Sequence, residues 1–152
     1  MPKPDYPEAG EVISSAWGSA FIDYAGEKWT YIPTGRHTVV DDVAGQTAIQ
    51  SAEVINLPLD DDRVIAAEIA MIIRKEDGSN SHLAVYDYDT GAEAGRAYTS
   101  GVANRGGYAG NMKVGVGGVN RRQIKWNTSA GGAGVHVWIY CYGYWLCETP
   151  LP

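Results

Sequence analysis

Two carboxylates, Asp87 and Asp89, are separated by one residue in the segment Tyr-Asp-Tyr-Asp-Thr-Gly. Residues two apart on an extended strand share one face, and carboxyl pairs about 5–10 Å apart perform the acid–base chemistry of glycoside hydrolases. The same pattern is typical of a strand that enters a Thr-Gly turn with aspartate as the turn former. We expect the turn, so the sequence predicts no catalytic residue and no enzyme activity.

Metal ligands are also sparse. The three histidines lie in different predicted strands: His37, His82 and His136. Their spacing is neither that of a zinc site nor that of a catalytic triad. The adjacent carboxylates of Asp60–Asp62 are a Ca²⁺ ligand type, but the EF-hand pattern is absent and a solvated acidic turn explains them. Asp41 and Asp42 are interpreted as turn formers, as Asp87 and Asp89 are. The sequence therefore predicts no metal and no cofactor.

The charge balance excludes several partners. The formal net charge is −6 and the pI is near 4.9, which argues against nucleic acid and against an anionic membrane surface. No window of about 18 apolar residues could span a bilayer. Five residues could form a small basic patch: Arg105, Lys113, Arg121, Arg122 and Lys125. We interpret it as part of a solvated hairpin.

Short extended runs separated by Gly, Asp and Asn indicate an all-β chain. The predicted strands are 12–17, 28–33, 37–41, 47–57, 63–74, 82–88, 97–103, 111–117, 121–127 and 134–146. Eight to ten strands at this spacing are typical of a β-sandwich or barrel. We expect one antiparallel sandwich domain over residues 11–152.

The segment Val64–Arg74 is the best candidate for a helix, because it is rich in alanine and contains Glu68. At period 2, however, one face is wholly apolar: Ile65, Ala67, Ile69, Met71 and Ile73. That alternation favours a central strand. The Asp77-Gly78 pair that follows predicts a turn into a hairpin with His82–Tyr88.

The final run, 135–147, alternates between an apolar face, which includes Trp145 and is predicted to enter the core, and an aromatic one. The predicted aromatic face contains His136, Trp138, Tyr140, Tyr142 and Tyr144. A strand with both faces occupied is covered on both sides, either by this chain, by another subunit or by a ligand. The face is therefore predicted to be a subunit interface or a platform for glycans.

Cys141 and Cys147 lie in this same run. Six residues of extended strand span about 20 Å, whereas the Cα atoms of a disulfide lie about 5.5 Å apart. We expect two buried free thiols.

Residues 1–10 are predicted to be an extended arm, since Pro2, Pro4 and Pro7 pre-set an extended backbone. The arm has no apolar core of a secretory signal. We expect it to anchor the subunit to a neighbour, with Pro2, Pro4, Tyr6 and Pro7 as the anchoring residues; a disordered tail is the alternative.

Four segments carry a resemblance: Tyr31–Gly35 (YIPTG), Leu57–Asp60 (LPLD), Arg121–Trp126 (RRQIKW), and a Ser-Ala-Gly-Gly turn leading to the terminal Tyr-Gly-Tyr-Trp. With them the chain resembles small virion proteins of tailed bacteriophages and of phage-derived gene transfer agents, namely head-fibre, spike and tail accessory proteins. The resemblance implies a jelly-roll sandwich, usually a trimer, attached to the particle through its N-terminus. It implies location in the virion after synthesis in the host cytoplasm. It also implies host-surface attachment in some relatives.

Three functions remain open on the sequence. The first is a self-associating structural component of a particle, with a homo-oligomer and other virion proteins as partners. The second is a carbohydrate-binding, lectin-like module that binds host glycans on the aromatic face. The third is a β-sandwich enzyme with Asp87 and Asp89. What covers the aromatic face separates the first two, and the native mass is the most direct measurement.

Overall fold

The computed structural model describes residues 29–54 and 63–147. Eight strands account for most of them: β1 (Trp29–Gly45), β2 (Gln50–Glu53), β3 (Val64–Lys75), β4 (His82–Tyr86), β5 (Glu93–Tyr98), β6 (Gly107–Gly115), β7 (Gln123–Thr128) and β8 (Gly132–Cys147). The one helical turn in these ranges is a three-residue 3-10 segment, Val119–Arg121. No helix in the described ranges is long and apolar enough to cross a membrane. The predicted arm (1–10), the strand 12–17 and the acidic turn 60–62 lie outside the described residues.

The strands form two antiparallel four-stranded sheets, in the orders β1-β8-β3-β6 and β2-β7-β4-β5. Only β4 and β5 are consecutive in the chain and adjacent in a sheet, so every other connection crosses between the sheets. This strand order is that of an eight-stranded jelly roll, a sandwich of two Greek keys. The prediction of an all-β antiparallel sandwich is confirmed.

The core lies between the two inner faces. Its fully buried side chains come from both sheets and include Ile69, Met71, Ile73, Leu83, Ile124 and Ile139. The strand prediction for 64–74 is confirmed, because Ala67, Ile69, Met71 and Ile73 all enter this core. Ile65 does not: a register shift between Val64 and Ala66 places it in a second small cluster with Ala66 and Cys147.

The predicted hairpin after Asp77-Gly78 is wrong. β3 pairs with β6 and β8, whereas β4 pairs with β5 and β7. A turn signal specifies that the chain reverses, not that the two strands share hydrogen bonds. Here the chain leaves one sheet and enters the other.

The predicted break between strands 28–33 and 37–41 and the predicted turn at Asp41-Asp42 are also corrected, because both lie inside a single 17-residue strand, β1. Thr34-Gly35 and Asp41-Asp42 each coincide with a register shift against β8, where β1 contains extra residues. Gly35 and Asp42 take positive φ values of 78° and 46°, conformations that glycine and aspartate tolerate best. Both are bulges that bend a long edge strand.

Candidate functional site

The sheet β1-β8-β3-β6 has an outer face that turns away from the core. Residues paired across neighbouring strands share a face, so the register gives rows of side chains across it. One row is Trp138–Ile72–Tyr108 and another pairs Tyr140 with Ala70. We call this surface the outer aromatic face: Tyr31, Ile72, Tyr108, His136, Trp138, Tyr140 and Trp145.

Three of the five predicted platform residues lie on this face: His136, Trp138 and Tyr140 pair with Arg74, Ile72 and Ala70. Each of the three is half-buried. The inner-facing neighbours Val137, Ile139 and Cys141 are buried in the core. Up to Cys141, the alternation predicted from the sequence is therefore correct.

Beyond Cys141 the alternation reverses. Cys141 pairs with Ile69 and Gly143 pairs with Glu68, so Tyr142 is an extra residue in β8 relative to β3. After this bulge Tyr144 pairs with Ala67 and packs against the core. The prediction that Tyr144 belongs to the aromatic face is wrong, because one inserted residue exchanges the two faces of a strand. Tyr142 lies at the register shift itself.

The same bulge brings Trp145 onto the outer face. Trp145 pairs with Tyr31 of β1, and their ring centroids lie 4.8 Å apart at an interplanar angle of 46°. The sequence interpretation had placed Trp145 in the core and had given Tyr31 no role in the face. Gly143, in the middle of an aromatic run, was the signal that could have revealed the bulge.

Cations lie over three rings of the face. The guanidinium carbon of Arg74 lies 5.5 Å from the Trp138 centroid, and that of Arg36 lies 4.7 Å from the Tyr140 centroid. The Lys113 ammonium lies 4.8 Å from the Trp145 centroid. Such contacts contribute about 0.5–1 kcal/mol each where they are exposed. They also occupy part of each aromatic surface.

His136 is held between two carboxylates at the end of this face. Its Nδ1 lies 2.6 Å from Oδ1 of Asp42, and its Nε2 lies 3.2 Å from Oε1 of Glu76. These hydrogen bonds raise the pKa of His136, against smaller opposing effects of burial and of Arg74. The imidazole is stacked on Trp138, with centroids 6.0 Å apart and planes 14° from parallel. Asp42 therefore has a specific partner that the bulge in β1 positions.

The outer face of the other sheet has a different character. Its side chains pair with one another: Arg96 makes two bonds to Glu93 (2.6 and 2.8 Å), and the Tyr86 hydroxyl donates to Asn127 (2.9 Å). The predicted basic patch belongs mainly to this side of the sandwich. Arg122 pairs with Glu53 at 2.7 Å, Arg121 pairs with Asp89 at 3.5 Å, and Lys125 lies over the Tyr88 ring.

Lys113 is separated from that basic group, because β6 belongs to the other sheet. Arg105 lies in the connection between β5 and β6. The structure therefore does not bring the five basic residues together as one patch.

Asp87 serves the turn that follows β4. Its Oδ1 accepts hydrogen bonds from the Asp89 amide at 3.1 Å and from the Thr90 amide and hydroxyl at 2.9 Å each. This is the pattern of an Asx-type turn. Asp87 also lies against Gly115, where an added Cβ would overlap Oδ2 of Asp87.

The three histidines lie in three different strands: His37 in β1, His82 in β4 and His136 in β8. His37 Nε2 contacts the Thr34 carbonyl oxygen at 2.8 Å, and His82 lies beside Tyr98 in the other sheet. Within residues 29–54 and 63–147 no cluster of three or more His, Cys, Asp or Glu side chains could hold a metal ion. Cys141 and Cys147 are both buried and form no disulfide, as predicted, and burial raises the pKa of the Cys141 thiol.

No protein-family model matches the sequence, and no curated protein matches it. Among solved structures, the coat protein of Tobacco streak virus aligns with 82% of this chain and 89% of its own length. That alignment has 14% sequence identity and a TM-score of 0.36. A TM-score this low assigns neither fold nor function, and the jelly-roll description follows from the strand order alone.

Proposed function

We propose that this protein is a structural subunit of a virus-like particle, of the bacteriophage or phage-derived kind, and that it associates with copies of itself through the outer aromatic face. The observation that carries the proposal is the contrast between the two outer faces. One presents Trp, Tyr and Ile side chains together with arginines, and the other presents polar groups paired with one another.

The composition of this face is that of an interface core. Trp, Tyr and Arg are enriched where subunits meet, and truncating one such anchor at a hot spot costs about 2 kcal/mol or more. Tyr108 is 66% exposed beside Ile72 and Trp138, which leaves an apolar row accessible to a partner. Contiguous apolar patches of this kind mark interaction sites.

Three finer parts of the proposal rest on the sequence resemblance. The assembly is a closed homo-oligomer, with a trimer favoured; residues 1–10 attach the subunit to the particle; and the role is that of an accessory or connector protein. Host-surface attachment belongs to the same proposal as a secondary role. The jelly roll agrees with a particle role in general, since this architecture occurs in viral capsid domains as well as in lectins.

A glycan platform on the same face is less well supported. Stacking of a sugar needs a free ring surface, whereas Arg74 and His136 lie against Trp138 and Arg36 lies over Tyr140. Arginine over an aromatic ring is also common in protein interfaces. The face therefore suits a protein partner better than a sugar.

Sedimentation velocity of the full chain at micromolar concentration tests the proposal. We expect a trimer for the wild type and a monomer for the double variant Tyr108→Ala/Trp138→Ala, with an unchanged far-UV circular dichroism spectrum. The matched control is Tyr98→Ala, which removes a tyrosine of similar exposure (62%) from the other sheet and should leave the trimer intact. A monomeric wild type, or a double variant that still assembles, would refute the interface.

The arm is tested separately by deleting residues 1–10. We expect the shortened chain to fold and to form the same oligomer, but not to be recovered with particles purified from producing cells. Recovery at the wild-type level would exclude the arm as the anchor.

A further inference from the structure

A cleft of about 420 Å³ opens where three inter-strand connections meet, between β3 and β4, β5 and β6, and β7 and β8. Its lining residues are Asn80, Ser81, His82, Tyr98, Thr99 and Ser129. We propose that this cleft binds a neutral saccharide. The site is distinct from the outer aromatic face, and none of its residues belongs to that face.

The floor of the cleft is fixed by hydroxyl groups that join the three connections. The Ser81 and Ser129 hydroxyls lie 3.0 Å apart, and the Ser129 hydroxyl accepts a hydrogen bond from the His82 amide at 3.0 Å. The Thr99 hydroxyl accepts from the Ser81 amide at 3.0 Å. Backbone bonds from Thr99 to Ser81 (2.9 Å) and from Ser129 to His82 (3.0 Å) complete the framework. A ligand would therefore meet a pre-organised floor, which lowers the entropic cost of binding.

The exposed side chains that line the cleft suit a sugar ring. Tyr98 is 62% exposed and the His82 ring lies 5.8 Å from it, tilted by 58°. An exposed tyrosine offers an apolar ring surface together with a polar tip, which matches the apolar and hydroxyl-bearing sides of a pyranose. The exposed Asn80 amide adds two donors and an acceptor.

The charge of the lining selects the class of saccharide. None of the six lining residues carries a carboxylate, ammonium or guanidinium group. The guanidinium of Arg96, two residues before Tyr98, already makes two hydrogen bonds to Glu93. Phosphates and acidic sugars are recognised by unpaired cations, above all arginine, so the lining favours a neutral ligand.

NMR titration of the ¹⁵N-labelled full chain with the methyl glycosides of glucose, galactose, mannose and N-acetylglucosamine tests this proposal. At least one probe should give saturable shifts at the amides of Asn80, His82, Tyr98 and Ser129. Tyr98→Ala should weaken that binding at least tenfold, while Tyr108→Ala, an equally exposed tyrosine on the other sheet, should not change it.

Three results would overturn it: no saturable shift with any of the four probes, shifts confined to the outer aromatic face, or tighter binding of glucuronic acid than of any neutral glycoside. Tyr98→Ala also serves as the assembly control described above. Tyr98→Ala should lose sugar binding and keep the oligomer, whereas Tyr108→Ala/Trp138→Ala should lose the oligomer and keep sugar binding, so each proposal can fail without the other.

Discussion

The hydroxyl of Tyr31 on β1 donates a hydrogen bond to the carboxylate of Glu68 on β3, across the intervening strand β8. The Tyr31 ring passes over Gly143 of β8, where an added Cβ would lie 2.5 Å from the phenolic oxygen. A glycine is therefore required at this position for the contact to form. One side chain spans three strands and fixes one end of the outer aromatic face.

Replacing Glu68 with glutamine should lower the pKa of Tyr31. In the wild type the neutral phenol donates to Glu68, and ionising it would place two negative charges together, which raises the pKa of Tyr31 from 10.0 to about 12. Glutamine keeps a hydrogen-bond acceptor but removes the charge, so the pKa should return towards 10. NMR titration of the Tyr31 ring signals measures this pKa in both proteins. Because the folded-state pKa is raised, this contribution to stability is complete below about pH 10 and is lost as the pH rises towards 12.

The variant Gly143→Ala should displace the Tyr31 ring. The new methyl group would lie within 2.6 Å of three atoms of the Tyr31 side chain, so the ring must move and lose its hydrogen bond to Glu68. We expect the pKa of Tyr31 to fall as it does in Glu68→Gln. The control is Gly134→Ala on the same strand, where the nearest atom, Oε2 of Glu76, lies at an ordinary 3.6 Å. An unchanged pKa in Gly143→Ala would contradict the contact.

The clamp of His136 between Asp42 and Glu76 predicts a pH-dependent stability. These carboxylates raise the pKa of His136 above its usual 6.5, so the protonated form stabilises the fold. That stabilisation is complete below the unfolded pKa and is lost as the pH rises through the folded one. From about pH 5.5 to about pH 8.5, the wild type should therefore lose more thermal stability than His136→Gln.

Asp42→Asn supplies the matched test of that clamp. It should lower the pKa of His136 and reduce the wild-type pH dependence, while Glu76 retains the remaining bond. If the melting temperatures of the wild type and His136→Gln changed with pH in the same way across this range, the clamp would be excluded as a source of stability.

The sequence predicted the class of fold because alternation reports burial directly. Val64–Arg74 and the first part of β8 have one wholly apolar face, and both enter the core. The pairing of the strands was harder to predict from the sequence. The predicted β3–β4 hairpin was wrong because a turn signal is local, whereas strand order in a jelly roll depends on contacts between residues distant in the chain.

The candidate site was only partly predictable for a related reason. A period-2 pattern assumes an uninterrupted strand, and a bulge of one residue at Tyr142 reverses every later position. Tyr144 and Trp145 were therefore assigned to the wrong faces. The cleft at Tyr98 was missed because its residues come from three separate connections and the adjoining strand ends, with no shared motif.

The bulge itself is tested by comparing Tyr144→Ala with Tyr140→Ala in urea unfolding of the same chain. Tyr144 packs against the core after the bulge, whereas Tyr140 lies on the outer face with its ring against Arg36. Truncating a large aromatic in the core removes buried area and leaves a cavity, which costs about 3 kcal/mol or more when the site is fully buried. Tyr144 is half-buried, so we expect a smaller loss of about 2 kcal/mol from the free energy of unfolding.

For a monomeric subunit, Tyr140→Ala should cost less, about 1 kcal/mol, because it removes one cation–π contact and part of an outer side chain. Both variants should be measured in the Tyr108→Ala/Trp138→Ala background, so that loss of assembly does not contribute to the difference. Equal losses, or a larger loss for Tyr140→Ala, would mean that β8 keeps strict alternation through Tyr142. In that case Tyr144 would return to the outer face and Trp145 to the core.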